Sequence, residues 1–157
     1  MHRRPRLTLV LSLVALGAVA AVAAAVWWRG RAVDVSAPSN AADPACALMA
    51  AALPNRVGGQ QRVRTTSSSP AVAAWGRHGV VWRCGVTAPG PTTDECLDVD
   101  GVDWVVRRLS DGASFTTYGR DPAVQVLVPK GSSPEPLVLP VFSKAVRLVP
   151  QGEHRCS

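Results

Sequence analysis

Leu97-Asp98-Val99-Asp100-Gly101-Val102-Asp103-Trp104-Val105-Val106-Arg107-Arg108-Leu109, continuing through Asp111-Gly112 into Ser114–Tyr118, decides how this chain is read. Asp-Gly between two β-branched runs is a strong two-residue hairpin signal, because both central residues of such a turn need positive φ. The device occurs twice in a dozen residues, so the stretch predicts three antiparallel strands in succession. Strand side chains alternate between faces, which puts Val102, Trp104 and Val106 on one side and Asp103, Val105 and Arg107 on the other.

Working outward, Val80-Val81-Trp82-Arg83-Cys84-Gly85-Val86 is β-branched and aromatic and ends at Pro89-Gly90-Pro91. Val124–Val128 is a further strand closed by Pro129, and Gln61–Thr66 reads as an exposed one. Val72–Trp75 is too short to assign. Two helices flank this β-rich middle. Cys46–Leu53 is rich in helix formers, with Asp43 as N-cap, Pro44 at the first position and Pro54 as the stop. Glu135–Val149 predicts a closing helix with Ser133 as cap, Pro134 at its start, and Leu137, Val141, Ala145 and Leu148 recurring at helical spacing; Pro140 interrupts it and moves its start. The fold class implied is α+β: a small two-layer domain with a mainly antiparallel sheet and flanking helices, disulfide-stabilised, preceded by a transmembrane helix.

That transmembrane helix is read from Leu7–Trp28, which holds no charge and follows Arg3, Arg4 and Arg6. As a helix it would extend about 33 Å, enough for a bilayer core. Trp27 and Trp28 suit an interfacial anchor, and the leading arginines favour an N-in orientation. A cleaved signal peptide is the rival, with Ala18-Val19-Ala20 as a small-x-small site; the length of the apolar run favours the anchor. The organisation expected is therefore a basic cytoplasmic N-terminus over 1–6, a membrane anchor over 7–28, a linker over 29–43 and an extracytoplasmic domain over 44–157. The membrane is the first expected partner and the cell membrane the expected location.

The chain carries 17 Lys+Arg against 11 Asp+Glu. Five of the basic residues flank the apolar run, so the remainder is nearly neutral and gives no reason to expect nucleic-acid binding. About 114 residues are left for the domain, enough for a modest core that cross-links would help. Cys46, Cys84, Cys96 and Cys156 allow three pairings. We favour Cys46–Cys84 with Cys96–Cys156, each contributing roughly 4 kcal/mol in the chain-entropy description. Zinc is disfavoured, since no two cysteines have the short spacing of structural zinc ligands.

No motif for chemistry emerges, and neither a catalytic residue, a metal nor a cofactor is assigned. An EF-hand frame around Asp98, Asp100 and Gly101 fails at both ends, with Cys96 and Arg107 where acidic ligands belong. His78 and His154 lack helical metal-site partners, Gly-x-Ser-x-Gly is absent, and there is no phosphate-binding glycine loop. Trp75, Trp82 and Trp104 are assigned to the core.

Cys46 with Leu53-Pro54, Gly59, Trp75-Gly76, Arg83-Cys84-Gly85-Val86, Pro89, Gly101-Val102-Asp103-Trp104, Phe115-Thr116-Thr117, Gly119-Arg120 and Val128-Pro129 together resemble the pattern of the DUF3515 family. The resemblance spans nearly the whole domain. It implies an actinobacterial, membrane-anchored or exported protein acting at the cell envelope, and it supplies no catalytic residues. In that family an acidic residue and a proline usually follow the Trp-Gly pair, and the chain departs from the pattern with Arg77-His78 there.

The function expected is a binding or interaction module in the bacterial cell envelope, taking an envelope protein or a wall-component ligand. The alternatives are an envelope hydrolase acting on a wall component and a structural subunit of a membrane complex. Arg83, Asp103 and Arg120 are the candidate ligand-binding residues, two arginines being suited to gripping a carboxylate or phosphate. Their competing role is a structural ion pair such as Asp103 with Arg120.

Overall fold

The computed structural model describes residues 14–24, 32–131 and 135–156. The chain divides into two units, Met1–Arg31 and Ala32–Ser157. In the first, residues 14–24 form a helix, α1, with exposed side chains. Among the described residues no helix is long and apolar enough to cross a membrane. The single-pass anchor expected over Leu7–Trp28 is corrected on that finding, together with the membrane as partner and the single-pass location. The rest of the expected span, 7–13 and 25–28, lies outside the described residues, as does the leading basic segment 1–6.

The second unit holds eight strands: β1 (Arg56–Val57), β2 (Gln60–Val63), β3 (Val72–Trp75), β4 (Val81–Val86), β5 (Cys96–Val99), β6 (Val102–Leu109), β7 (Gly112–Thr117) and β8 (Ala123–Pro129). They form one antiparallel sheet in the order β1-β2-β3-β4-β8-β7-β6-β5. Two four-stranded meanders meet where β4 pairs with β8. Helix α2 (Pro44–Ala51), a 3-10 turn over Glu135–Val138 and helix α3 (Pro140–Val146) complete it. The two-layer α+β expectation with a membrane-spanning helix is thus corrected: the protein is mostly an eight-stranded antiparallel sheet, and its helices are short. Residues 32–43, expected as linker, belong to this unit. Val33 bridges Thr65, and Val35 is only 7% exposed.

The first Asp-Gly turn has the geometry its sequence asks for, whereas at the second Gly112 is extended, with φ of 159°, and pairs with Leu109. Asp100 and Gly101 have φ of 53° and 74°, as a two-residue hairpin with both central residues in the left-handed region requires. Leu97, Val99, Trp104 and Val106 face the helices, together with Phe115, Val126, Trp82 and Ala73 from successive strands. Helix α2 adds Met49 and Ala50 to this core, and α3 adds Phe142, Ala145 and Val146. Phe142 lies 5.4 Å from Trp75 and 5.3 Å from Trp82, centroid to centroid. Asp43 caps α2 as expected, its side chain accepting from the Ala45 amide.

Helix α3 differs from its expected face. Ala145 is buried, but Leu137 is 67% exposed, and Val141 and Leu148 also face water. Val138, Leu139, Phe142, Val146 and Val149 are buried instead. The 3-10 turn before Pro140 changes the phase of the spiral, so one 3.6-residue repeat across the whole segment picks the wrong side. The expected cap, Ser133, and Pro134 lie outside the described residues.

Two disulfides are present: Cys46–Cys84 ties α2 to β4, and Cys96–Cys156 ties the C-terminal tail to β5. Their closed loops span 38 and 60 residues. Beside Cys84, a register shift in β4 leaves Gly85 with a φ of 88°. The Gly85 carbonyl accepts from the Asn40 amide at 3.1 Å, and an added Cβ would meet the Asn40 carbonyl at 2.4 Å. Gly85→Ala is therefore expected to cost about 2 kcal/mol from the backbone conformation alone. Urea unfolding of both proteins measures it.

Candidate functional site

Helices α2 and α3 both pack on one face of the sheet. The opposite face is ordered by strand register into two rows. One runs Ala74, Val81, Leu127, Ser114, Arg107 across β3, β4, β8, β7 and β6. The next runs Val72, Arg83, Gln125, Thr116, Val105, Cys96 from β3 to β5. None of the non-cysteine residues in these rows belongs to the core that the helices complete.

Arg83 stands half-buried in the middle of this face. Alternation within Trp82-Arg83-Cys84 sends its neighbours into the core and leaves it on the other side. Its Nη1 donates to Gln125 Oε1 at 3.0 Å, and Gln125 Nε2 donates to Ser114 Oγ at 3.1 Å. The three residues form a polar ladder over β4, β8 and β7. The Arg83 Nε–H is buried and has no hydrogen-bond partner among the described residues, and no carboxylate there pairs with the guanidinium. An unneutralised cation with an unused donor is equipped to take an anion.

Cavities lie to either side of that ladder. The larger, about 410 Å³, is lined by Val33, Val81, Leu109 and Leu127, with His78 and Asp111 among its polar residues. The smaller, about 250 Å³, lies under the Val86–Pro89 segment over Gln125, Thr116, Val105 and Arg107. Arg107 is engaged elsewhere, its Nε donating to Asp94 at 2.9 Å in an exposed ion pair. That hydrogen bond, helped by one from Thr92, holds the Asp94 carboxyl below its ordinary range.

Arg120 and Asp103 sit apart from this ladder. Arg120 is 5% exposed and Asp103 7%. The Arg120 guanidinium donates through Nη1 to the Val149 carbonyl and through Nη2 to the Gly101 carbonyl at 3.2 Å. It thereby brackets the C-terminal tail against the β5–β6 turn. Burial pushes its pKa down, and the Asp103 charge opposes that shift. No direct ion pair joins the two among the described residues. Register separates Arg83 from the β6 row by three strands, about 14 Å at the usual strand spacing. The three candidates therefore form no common site, and the two arginines do not converge on a cleft. Gln125 and Ser114 are the partners that sequence reasoning missed. Their signal was present as polar residues in otherwise apolar strands, but which strand lay beside Arg83 was invisible.

Arg120→Ala is expected to destabilise by roughly 3 kcal/mol, because it leaves two carbonyls without their charged donor. Arg120→Lys restores only part, since one ammonium cannot reproduce the fork. Thermal unfolding of the two variants measures both effects.

Among the described residues no group of three or more His, Cys, Asp or Glu is placed to hold a metal ion.

The profile of a family described as a protein of unknown function, DUF3515, matches residues 9–153. The chain belongs to the DUF3515 family. Neither a curated protein nor a solved structure matches it. Membership covers every strand described above, so the Arg83–Gln125–Ser114 ladder and both cavities fall within the DUF3515 match.

Proposed function

We propose that this DUF3515 protein is a binding module of the bacterial cell envelope and that the face of its sheet opposite α2 and α3 is where it binds. The observation that carries the reading is Arg83, a half-buried guanidinium with a buried, unused Nε–H and no carboxylate partner among the described residues. It stands on rigid strands, and its Gln125–Ser114 neighbours fix its direction. Preorganised charge of this kind favours binding an anionic group over any role in folding. The two disulfides support an oxidising compartment, because cross-links of this kind persist outside the reducing cytosol.

A second reading has its own observation. Leu48 on α2 and Leu137, Val141 and Leu148 around α3 are exposed apolar side chains. Exposed apolar side chains of this kind are where a protein partner would dock if they form one patch.

In-cell crosslinking of the full chain, followed by mass spectrometry, tests the proposal. The expected result is a reproducible adduct that is lost in Arg83→Gln and retained in Arg108→Gln, whose parent side chain is exposed and already paired with Glu95 and Glu135. An adduct indifferent to Arg83 would overturn it.

A further inference from the structure

β1 and β5 are the edge strands of the sheet, and β5 is the longer: β1 spans only Arg56–Val57, whereas β5 runs Cys96–Val99. The Val106 amide donates to the Glu95 carbonyl at 2.8 Å, so Glu95 and Val106 are a hydrogen-bonded pair. Such pairs alternate with non-bonded ones along an antiparallel ladder. The β5–β6 register then makes Leu97–Trp104 and Val99–Val102 bonded pairs, and Cys96–Val105 and Asp98–Asp103 non-bonded ones. The N–H and C=O of Cys96 and of Asp98 therefore point away from β6, and no strand lies beyond them among the described residues. An edge of this kind is a template for one more strand. The side chains around it are acidic. Asp94 and Glu95 pair with Arg107 and Arg108, but Asp98 is exposed and has no ion pair among the described residues. Its cross-strand neighbour Asp103 is also acidic, and the charge of Asp103 acts on Arg120. On the other face, Leu97 and Val99 are only partly buried against the core.

We infer that the β5 edge is a strand-addition site for an extended basic segment of a partner protein, which pairs its backbone with Cys96 and Asp98. β5 lies four strands from β4, which carries Arg83, about 19 Å at the usual spacing, so neither surface depends on the other. Antiparallel addition continues the pattern of every pair in the sheet. It sets alternate side chains of the incoming segment beside Asp98 and beside Leu97 and Val99. A cation in the first position meets a carboxylate that has no ion pair, and an apolar residue in the second covers the partly exposed margin of the core. A second copy of this chain fits less well. Pairing two β5 edges would set Asp98 of each within the acidic run of the other, and like charges in facing positions destabilise a sheet.

Residue-resolved amide hydrogen exchange of the full chain, with and without the peptide acetyl-Thr-Lys-Val-Lys-Val-Lys-Thr-amide, tests this. Without peptide, the Leu97 and Val99 amides are expected to be protected and those of Cys96 and Asp98 to exchange freely. Saturating peptide should slow Cys96 and Asp98 by about tenfold or more. N-methylation of the peptide's lysines, whose N–H groups face the edge in antiparallel pairing, should abolish that protection. N-methylation of its valines, whose N–H groups face away, should leave it. Replacing the lysines by glutamates should abolish it as well. Asp98→Asn keeps a side-chain oxygen to accept from the Gly101 amide, so the turn is preserved. It should weaken peptide binding about fivefold, the upper range for an exposed ion pair. Slow exchange of Cys96 and Asp98 without peptide, at every protein concentration, would show an edge already covered and overturn the inference. Slow exchange that grows with protein concentration would assign the edge to a second copy and overturn the basic partner. Equal protection by the lysine and glutamate peptides, or protection indifferent to lysine N-methylation, would also overturn it. No protection by any of the peptides would remove the site.

Discussion

Phe142→Ala is expected to destabilise the domain by about 4 kcal/mol, in the range for emptying a buried phenylalanine site. Phe142 is fully buried and lies between Trp75 and Trp82 at centroid distances of 5.4 and 5.3 Å. These rings come from α3, β3 and β4, so the phenyl ring fastens the C-terminal helix to the sheet. The two indoles are large and held by strands that cannot close together, which keeps the vacated space open. Backbone hydrogen bonds across β3 and β4 oppose collapse, and Trp75 is further pinned by its Nε1 donating to the Pro54 carbonyl at 2.9 Å. The control is Val141→Ala, one residue away on the exposed side, where a change within about 0.5 kcal/mol is expected. Urea unfolding midpoints of the two variants measure the contrast. Equal effects would mean that α3 does not pack as described.

Replacing Cys46 and Cys84 together by alanine is expected to cost roughly 4 kcal/mol, since a 38-residue loop regains its freedom in the unfolded chain. Both cysteines are fully buried and belong to the core cluster, so the lost packing adds to the loss of the cross-link. The unfolding midpoint should fall on the order of 15 °C. Removing Cys96 and Cys156 opens a longer loop of 60 residues, yet the tail keeps other holds. Gln151 donates to the Tyr118 carbonyl at 2.9 Å, and Arg120 holds the Val149 carbonyl. Native contacts therefore persist around the tail, and the smaller local disturbance is expected there. Differential scanning calorimetry of the two double variants separates the cases. A larger loss from the Cys96–Cys156 pair would contradict the buried packing role given to Cys46–Cys84.

Local rules were legible where a structure depends on neighbours in sequence. Asp100-Gly101 announced a hairpin because only a few residue types accept positive φ in succession. The alternation in β6 put Trp104 in the core and Arg107 in water. Even there, Asp103 and Val105 proved buried on the second face, because side-chain alternation says nothing about what covers a strand from outside. The helix at the C-terminus was foreseen with the wrong face, since Pro140 splits it into a 3-10 turn and an α-helix of different pitch. The anchor was read from length and hydropathy alone, and among the described residues no helix is long and apolar enough to cross a membrane.

The candidate site was legible in part and for the same reason. Arg83 stood out as a cation inside an apolar strand, and alternation set its face. Arg120 looked equivalent, but its partners are carbonyls at Gly101 and Val149, contributed by turns far from it in sequence. A buried bracket and a half-buried arginine on an open sheet face are the same letter until the chain has folded around them.

The most direct test of the proposed binding face is a pair of photo-crosslinkers introduced into the full chain in cells, one at Leu127 on the face opposite α2 and α3 and one at Val141 on α3. Adducts from Leu127 that vanish in Arg83→Gln, with none of comparable yield from Val141, are the expected result. Adducts from Val141 alone would contradict it and move the interaction to the helical surface.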